Sequence, residues 1–419
     1  MHIVVAGGGL AGLVAAGRLA EAGAEVELFE RRDRVGGRVR TRAVDGYTLD
    51  RGFQVLFTAY PAAQRELDYG ALDLRTFAPG ATIARPNRRS TLADPFGDPG
   101  ATLPTLLNRD VRTADKLRLF RLQRELRRRE WGDVFDGDDT TIREFFAARG
   151  FSTAFVERFA EPFYGGITLD RSLGTSSSVF EATFKSLSEG DTVVPAGGME
   201  EIPAQLRARA EAAGATIETE TVVTALDTGP SPVVATDDGR RSPDAVVVAT
   251  DPKTAGELTG VETPTGTKSC VAVHCSLPDH QRLDTGSRII LNAADAKPNT
   301  VAPMSAAAPE YAPEGRQLLT ATFLGERSET DRELGDRVRQ ALSAWFPENH
   351  FGELDVVGVD RVPFAQFEQP PGSRGRLPTT DAPDGRVFLA GDYTEWSSIQ
   401  GALQSGAAAA EAALSSVDE

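Results

Sequence analysis

Cysteine, histidine, lysine and long apolar runs are all scarce in this chain, and each shortage removes a class of function. Two cysteines, Cys270 and Cys275, leave no disulfide scaffold and no cysteine-built metal site. The four histidines, His2, His274, His280 and His350, fall in no recognisable constellation, so each reads as structural and no metal is expected. Apolar stretches are only a few residues long, which excludes a membrane-spanning helix. Lysine occurs five times against forty arginines, and the net charge is −16. A surface this acidic repels phosphate backbones, so nucleic acid is not expected as a partner. Acidity with little lysine reads as the surface of a halophilic protein from a high-salt cytoplasm. A GC-rich genome would produce the same exchange of lysine for arginine.

What is present is 419 residues, 40% of them apolar, enough for two packed domains. Met1 leads almost at once into an apolar β-branched run, His2–Ala6, leaving no room for a signal or transit peptide; a cytoplasmic protein is expected. That run reads as a buried parallel strand. It passes into Gly7-Gly-Gly-Leu-Ala-Gly12 and an alanine-rich helical stretch, Leu13–Ala22, stopped by Gly23. Glu25–Glu30 then reads as a second strand ending in an acid. This is G-x-G-x-x-G in its strand–turn–helix–strand setting, the fingerprint of a Rossmann-like dinucleotide site. Gly7 permits the tight turn, Gly9 lets backbone approach a pyrophosphate, and Gly12 lets helix and strand pack closely. Leu10 and Ala11 open the helix whose free N–H groups face the phosphates. Glu30, 18 residues after Gly12, is placed to accept from ribose hydroxyls. By itself the unit does not separate FAD from NAD.

Two further segments follow: Arg31 to Arg38, containing Arg34-Val-Gly-Gly-Arg38, and Asp50-Arg-Gly-Phe-Gln54. Here the chain resembles the flavin amine oxidase superfamily, which includes amine oxidases, protoporphyrinogen oxidases and phytoene desaturase-like enzymes. The resemblance implies non-covalent FAD, with Arg31, Gly36, Gly37, Arg38, Gly52, Phe53 and Gln54 contacting it. Downstream matches keep the family's order. Val193-Val-Pro-Ala-Gly-Gly-Met-Glu200 resembles its P-x-G-G-M turn before a helix, Glu201–Ala213. Thr216–Leu226 reads as paired strands, and the resemblance puts Val222 or Val223 against the adenine. Ala245–Thr250 reads as another strand of the sheet. Val387-Phe-Leu-Ala-Gly-Asp392 then Ser397-Ser-Ile-Gln-Gly401 resembles the flavin-facing return, with Gly391, Asp392, Ser398, Ile399 and Gln400 at the cofactor. The helix starting there, running to Leu414, would favour negative charge on the flavin through its dipole. No second nucleotide motif occurs, so a separate nicotinamide domain is not expected.

The resemblance implies an α/β fold: a Rossmann-like FAD-binding domain of amine-oxidase type with an interleaved α+β substrate domain. The FAD part is expected over 1–85, 190–262 and 380–419. The substrate part is expected over 86–189, mostly helical, and 263–379, an antiparallel sheet. Thr140–Gly150 carries helix capping signals and a glycine stop. Glu161-Pro-Phe-Tyr-Gly-Gly166 resembles the family's turn after a helix. Alternating residues over Ser269–Ser276, Gln317–Phe323 and Asp355–Val362 predict the sheet. In the first of these, Cys270 and Cys275 have the C-x4-C spacing of a flavin disulfide redox pair. Residues five apart on a strand point to opposite faces, which favours two ordinary core residues.

The segment 109–129 carries nine basic and three acidic residues. It reads either as a basic amphipathic helix seated on an anionic membrane or as a solvated helix pairing with acids elsewhere. In this superfamily the flavin takes the hydride, so no catalytic triad is needed and none is visible. Lys268, Trp396 and Gln54 are the candidates for residues acting at the flavin. The aromatic cage of an amine oxidase is not evident. The expectation is therefore an FAD-dependent dehydrogenase or oxidase taking a hydride from an apolar small-molecule substrate, isoprenoid or tetrapyrrole. The alternatives are a flavin amine oxidase, and an isomerase or non-redox protein that binds FAD.

Overall fold

The computed structural model describes residues 1–92, 111–229 and 231–417. At its centre His2–Ala6 is a buried strand whose alternate side chains enter two cores. Ile3 and Val5 face one, with the helices Leu10–Glu21, Glu201–Ala212 and Ile399–Val417; Val4 faces the other. The sheet is parallel throughout, in the order Thr216–Glu218, Glu25–Phe29, His2–Ala6, Ala245–Val248, Val387–Leu389. Five strands from four distant stretches of chain thus form one layer. Small residues let the first and last helices meet: a Cβ on Gly406 would collide with the Ala11 carbonyl. Around them Glu66, almost wholly buried, takes ion pairs from Arg18 at 2.6 Å and Arg209 at 2.8 Å.

The expected pairing within Thr216–Leu226 does not form. Thr216–Glu218 joins the parallel sheet, whereas Val223–Asp227 starts a separate antiparallel sheet with Val233–Thr236 and Gly239–Arg241. Glu30 drives the split. Its N–H donates to the Glu218 carbonyl and its own carbonyl accepts from Thr221, which turns the chain out of the sheet.

The second layer is a seven-stranded sheet: Asp355–Phe367, Thr267–Pro278, Arg316–Leu324, Thr300–Pro303, Ile289–Asn292, Ala81–Arg85, Arg88–Leu92. Every pairing is antiparallel except Ile289–Asn292 with Ala81–Arg85. Ala81–Arg85 lies within the range 1–85 expected for the first domain. Its hydrogen bonds belong to this sheet, and so do those of Arg88–Leu92 from the expected helical block. Val271, Val273, Cys275 and Leu277 pack on one side, where the helix Asp331–Trp345 covers them. The helical block comprises Thr113–Leu126, Ile142–Ala148, Thr153–Phe155, Glu161–Ile167 and Ser177–Glu189 among its described residues. Residues 93–110 of the block, including Arg109 and Asp110, lie outside the described residues. Thr141 caps its helix through a reciprocal bond with Glu144. Glu161–Gly166, expected as a turn, is instead helix, with Pro162 tolerated in the first turn.

Candidate functional site

Between the two layers lies a cavity of about 1520 Å³. That exceeds the roughly 300–1,000 Å³ of an ordinary ligand pocket, so it has room for a cofactor and a substrate together. One end is built from the glycine loop. Gly7 holds φ +111° with its Cα close under the Ala249 carbonyl, where a Cβ would stand 2.6 Å from that oxygen. A Cβ on Gly12 would be driven into the Gly7 carbonyl, so turn and helix meet only because both are glycine. Gly9 is the helix cap, with no side chain to occupy the first-turn N–H groups and open space where its Cβ would be. That is a backbone cradle suited to a pyrophosphate. Gly12 acts from behind, outside the cavity wall; Gly7, Gly9, Leu10 and Ala11 line it.

Glu30 is buried beside the loop, its carboxylate oriented by the N–H groups of Gly8 (2.9 Å) and Arg32 (3.0 Å). A carboxylate has lone pairs beyond those two, which remain for ribose hydroxyls. Arg31, Gly36, Gly37, Arg38, Gly52, Phe53, Gln54, Val222, Val223, Gly391, Asp392, Ser398 and Ile399 also line the cavity. Three stretches of chain far apart in the sequence therefore converge on this cavity. Arg38 donates to Asp392 at 2.6 Å and to the Ala365 carbonyl at 3.0 Å, and lies 5.1 Å over the Phe364 ring. Asp392, almost wholly buried, also accepts from Ser397 at 2.9 Å. Gln54 donates to the Arg38 carbonyl at 3.1 Å, while its Oε1 is buried with no partner among the described residues. An orphaned acceptor in the wall costs about 1–3 kcal/mol and fits a site that a hydrogen-bonding cofactor completes. The cradle, the ribose carboxylate and this acceptor together fit FAD.

Other expected residues are placed differently. Lys268 is outside the cavity wall; its Nζ sits 3.5 Å from Asp170 and 3.4 Å from Glu368. Gln400 is also outside it: its Oε1 accepts from the Ala62 N–H at 2.8 Å, so it ties the helix to a neighbour. The Val222 N–H donates to Asp237 at 2.9 Å and its carbonyl accepts from the Asp237 N–H, so both its backbone groups are engaged within the chain. Trp396 lines the cavity, edge-on to Tyr60 at 6.1 Å. Tyr393 is in the core beneath, its hydroxyl on the Val248 carbonyl. The two cysteines do face opposite ways. Cys270 is in the cavity wall and Cys275 in the core, and burial pushes their thiols up to about 11 and about 12.

Arg51, next to the expected Gly52, is a further residue of the site. It lines the cavity, and burial together with Arg32 holds its guanidinium below the ordinary value, with Asp360 opposing. Behind it Asp50 is wholly buried, and burial raises its carboxyl against the bonds it accepts from Thr41, the Met199 N–H and Tyr311. The far end of the cavity was also missed. The helices Thr113–Leu126, Glu161–Ile167 and Ser177–Glu189 and the strand Ile289–Asn292 supply Leu117, Leu119, Phe163, Phe184, Leu187 and Ile289. Among the described residues these segments bring one charged side chain to the wall, Lys116.

Residues 10–414 match the family model for flavin containing amine oxidoreductases, and the chain belongs to that family. That family is one of flavin-containing oxidoreductases. A coproporphyrinogen III oxidase of Propionibacterium freudenreichii is 32% identical over 173 residues, covering 40% of this chain and 31% of that protein. A 4,4'-diapolycopen-4-al dehydrogenase of Metabacillus indicus is 50% identical over 52 residues, 12% of this chain and 11% of the relative. The chain thus spans under a third of either relative's length. An oxidoreductase from Methanosarcina mazei has the same fold, with TM-score 0.74 at 19% identity, covering 98% of this chain and all of that one. No helix among the described residues is long and apolar enough to cross a membrane, and no cluster of potential metal ligands occurs among them.

Proposed function

We propose that this chain takes a hydride from a C–H bond of an apolar polyene or tetrapyrrole substrate. The single supporting observation is the far wall of the cavity: rings and aliphatic side chains with Lys116 as the one charged group from those four segments. Burying an amine's ammonium against such a wall would leave a charge without a partner. When bound, FAD supplies the hydride acceptor. The chain's part is to hold the cofactor on the glycine cradle, Glu30, Arg38 and Asp392, and to shut water out with the apolar wall. FAD would be held non-covalently, since neither Cys270 nor Cys275 belongs to the Gly391–Gly401 return; release of all flavin on acid precipitation checks this. Anaerobic titration at the flavin absorbance band tests the main reading. Bleaching by polyenes or porphyrinogens supports it and bleaching by amines alone overturns it. Turnover only by pre-reduced enzyme would point to an isomerase.

Peripheral contact with an anionic membrane belongs to the same reading. On the helix Thr113–Leu126 the exposed Leu117, Phe120, Arg121 and Arg124 form one stripe at i, i+3, i+4 and i+7, and Leu117 and Phe120 also line the cavity. Arg112, Arg121, Arg124 and Arg128 make no ion pair among the described residues. By contrast, Arg127 donates to the Ser188 carbonyl and Arg129 pairs with Glu125 and Glu181. Vesicles of anionic lipid should therefore lose the protein when Arg121 and Arg124 are made Glu; unchanged co-sedimentation would dismiss the contact. The acidic, lysine-poor composition supports a cytoplasm of high salt, and a melting temperature indifferent to removal of molar salt would dismiss that.

A further inference from the structure

The helical run from Thr153 to Ile167 changes pitch in its middle. Val156–Ala160 forms a π-helical turn between α-helical Thr153–Phe155 and Glu161–Ile167. Pro162 explains it: proline has no N–H, so the carbonyl one turn back loses its α-helical donor. The backbone widens instead, and the Glu161 N–H bonds the Val156 carbonyl five residues earlier. From the far side Asn299 donates to the Pro162 carbonyl at 2.9 Å, which anchors the turn to the sheet. Widened turns of this kind recur at functional sites.

The result is a set of rings with fixed orientations. Phe159 and Phe163 both line the cavity as a near-parallel pair, 5.2 Å apart and 13° from coplanar. Tyr164, wholly buried, stands edge-on to both, at 6.3 Å and 90° and at 5.1 Å and 89°. It also meets Phe180 at 4.6 Å and 81°, and Phe180 lies parallel to Phe184 at 5.8 Å and 10°. Phe184 reaches the cavity as well. Two parallel pairs from separate helices are therefore braced at right angles through one buried tyrosine.

We infer that Phe159, Phe163 and Phe184 form a rigid ring platform that selects a flat, conjugated substrate segment over a saturated or non-conjugated one. This rests on the apolar-substrate reading above. Aliphatic walls bury any apolar chain alike, whereas an oriented ring face rewards a planar π system beyond its buried area. Rings already locked by neighbours lose little freedom on binding, so the selectivity is retained in the affinity.

The test uses the FAD-loaded protein with two probes: all-trans-retinol, which is conjugated, and farnesol, an isoprenoid that is not. Phe159→Leu and Phe163→Leu keep apolar bulk and remove the ring. Each should weaken retinol roughly two- to tenfold, leave farnesol within about twofold and leave FAD content unchanged. Equal weakening of both probes, or no weakening of retinol, overturns the platform. If either variant fails to fold or to hold FAD, Phe184→Leu on the other helix decides by the same criterion. If neither probe binds the unsubstituted protein and amines alone bleach its flavin, the apolar-substrate reading fails and the platform with it.

Discussion

At one end of the cavity the wall is glycine backbone and oriented charge; at the other it is rings carried by three helices. The cofactor end depends on close approach. Gly7, Gly9 and Gly12 leave room there because they lack side chains, and hydrogen bonds hold Glu30, Arg38 and Asp392 each in one direction. The far end depends on bulk and on ring orientation, with Lys116 the one charged side chain that its described segments bring to the wall. The contrast teaches that the two ends should fail differently. Changes at the first should remove the cofactor or the fold, and changes at the second should alter affinity for substrate while FAD stays bound.

The largest effect is expected at Gly12. Valine there forces a side chain into the Gly7 carbonyl, where backbone has to move; a loss of about 3 kcal/mol of stability, with no FAD retained, should appear in thermal melts and flavin content. Next is Asp392→Ala, which strips the charged partner from Arg38 and the acceptor from Ser397. FAD affinity should fall roughly ten- to a hundredfold, and a variant with full FAD content would contradict the placement of Asp392 at the cofactor. Phe184→Ala should raise KM for substrate several-fold, about one ring contact, with FAD content intact. Loss of flavin in that variant would break the division between the two ends. The smallest effect concerns the thiols. With Cys270 near 11 and Cys275 near 12, only about a thousandth or less is thiolate at pH 8. Native protein should therefore react with a thiol reagent far more slowly than denatured protein, even though Cys270 lines the cavity.

Legibility followed the same division. The glycine loop, Glu30, the hairpin ending in Asp50 and the Gly391–Asp392 return stand in the sequence as short runs whose spacing is their function. The alternation in Thr267–Pro278 likewise showed that its two cysteines face apart. Lys268 and Gln400 were less readable, because partners far along the chain claim them: Asp170 and Glu368, and Ala62. The strand Ala81–Arg85 joins the seven-stranded layer for a similar reason. Its parallel partner, Ile289–Asn292, lies two hundred residues on. Glu161–Gly166 looked like a turn because Pro and two Gly usually break helices, yet a widened turn and Asn299 absorb them.

From the sequence alone came the α/β fold, the flavin-containing family and the glycine cradle, since backbone geometry at a phosphate requires glycine at set intervals and leaves a local pattern. The tertiary structure alone decided the substrate end. A phenylalanine in a helix reads the same whether it fills a core or faces a cavity, and only packing against Tyr164 and Phe180 fixes which way Phe159, Phe163 and Phe184 point.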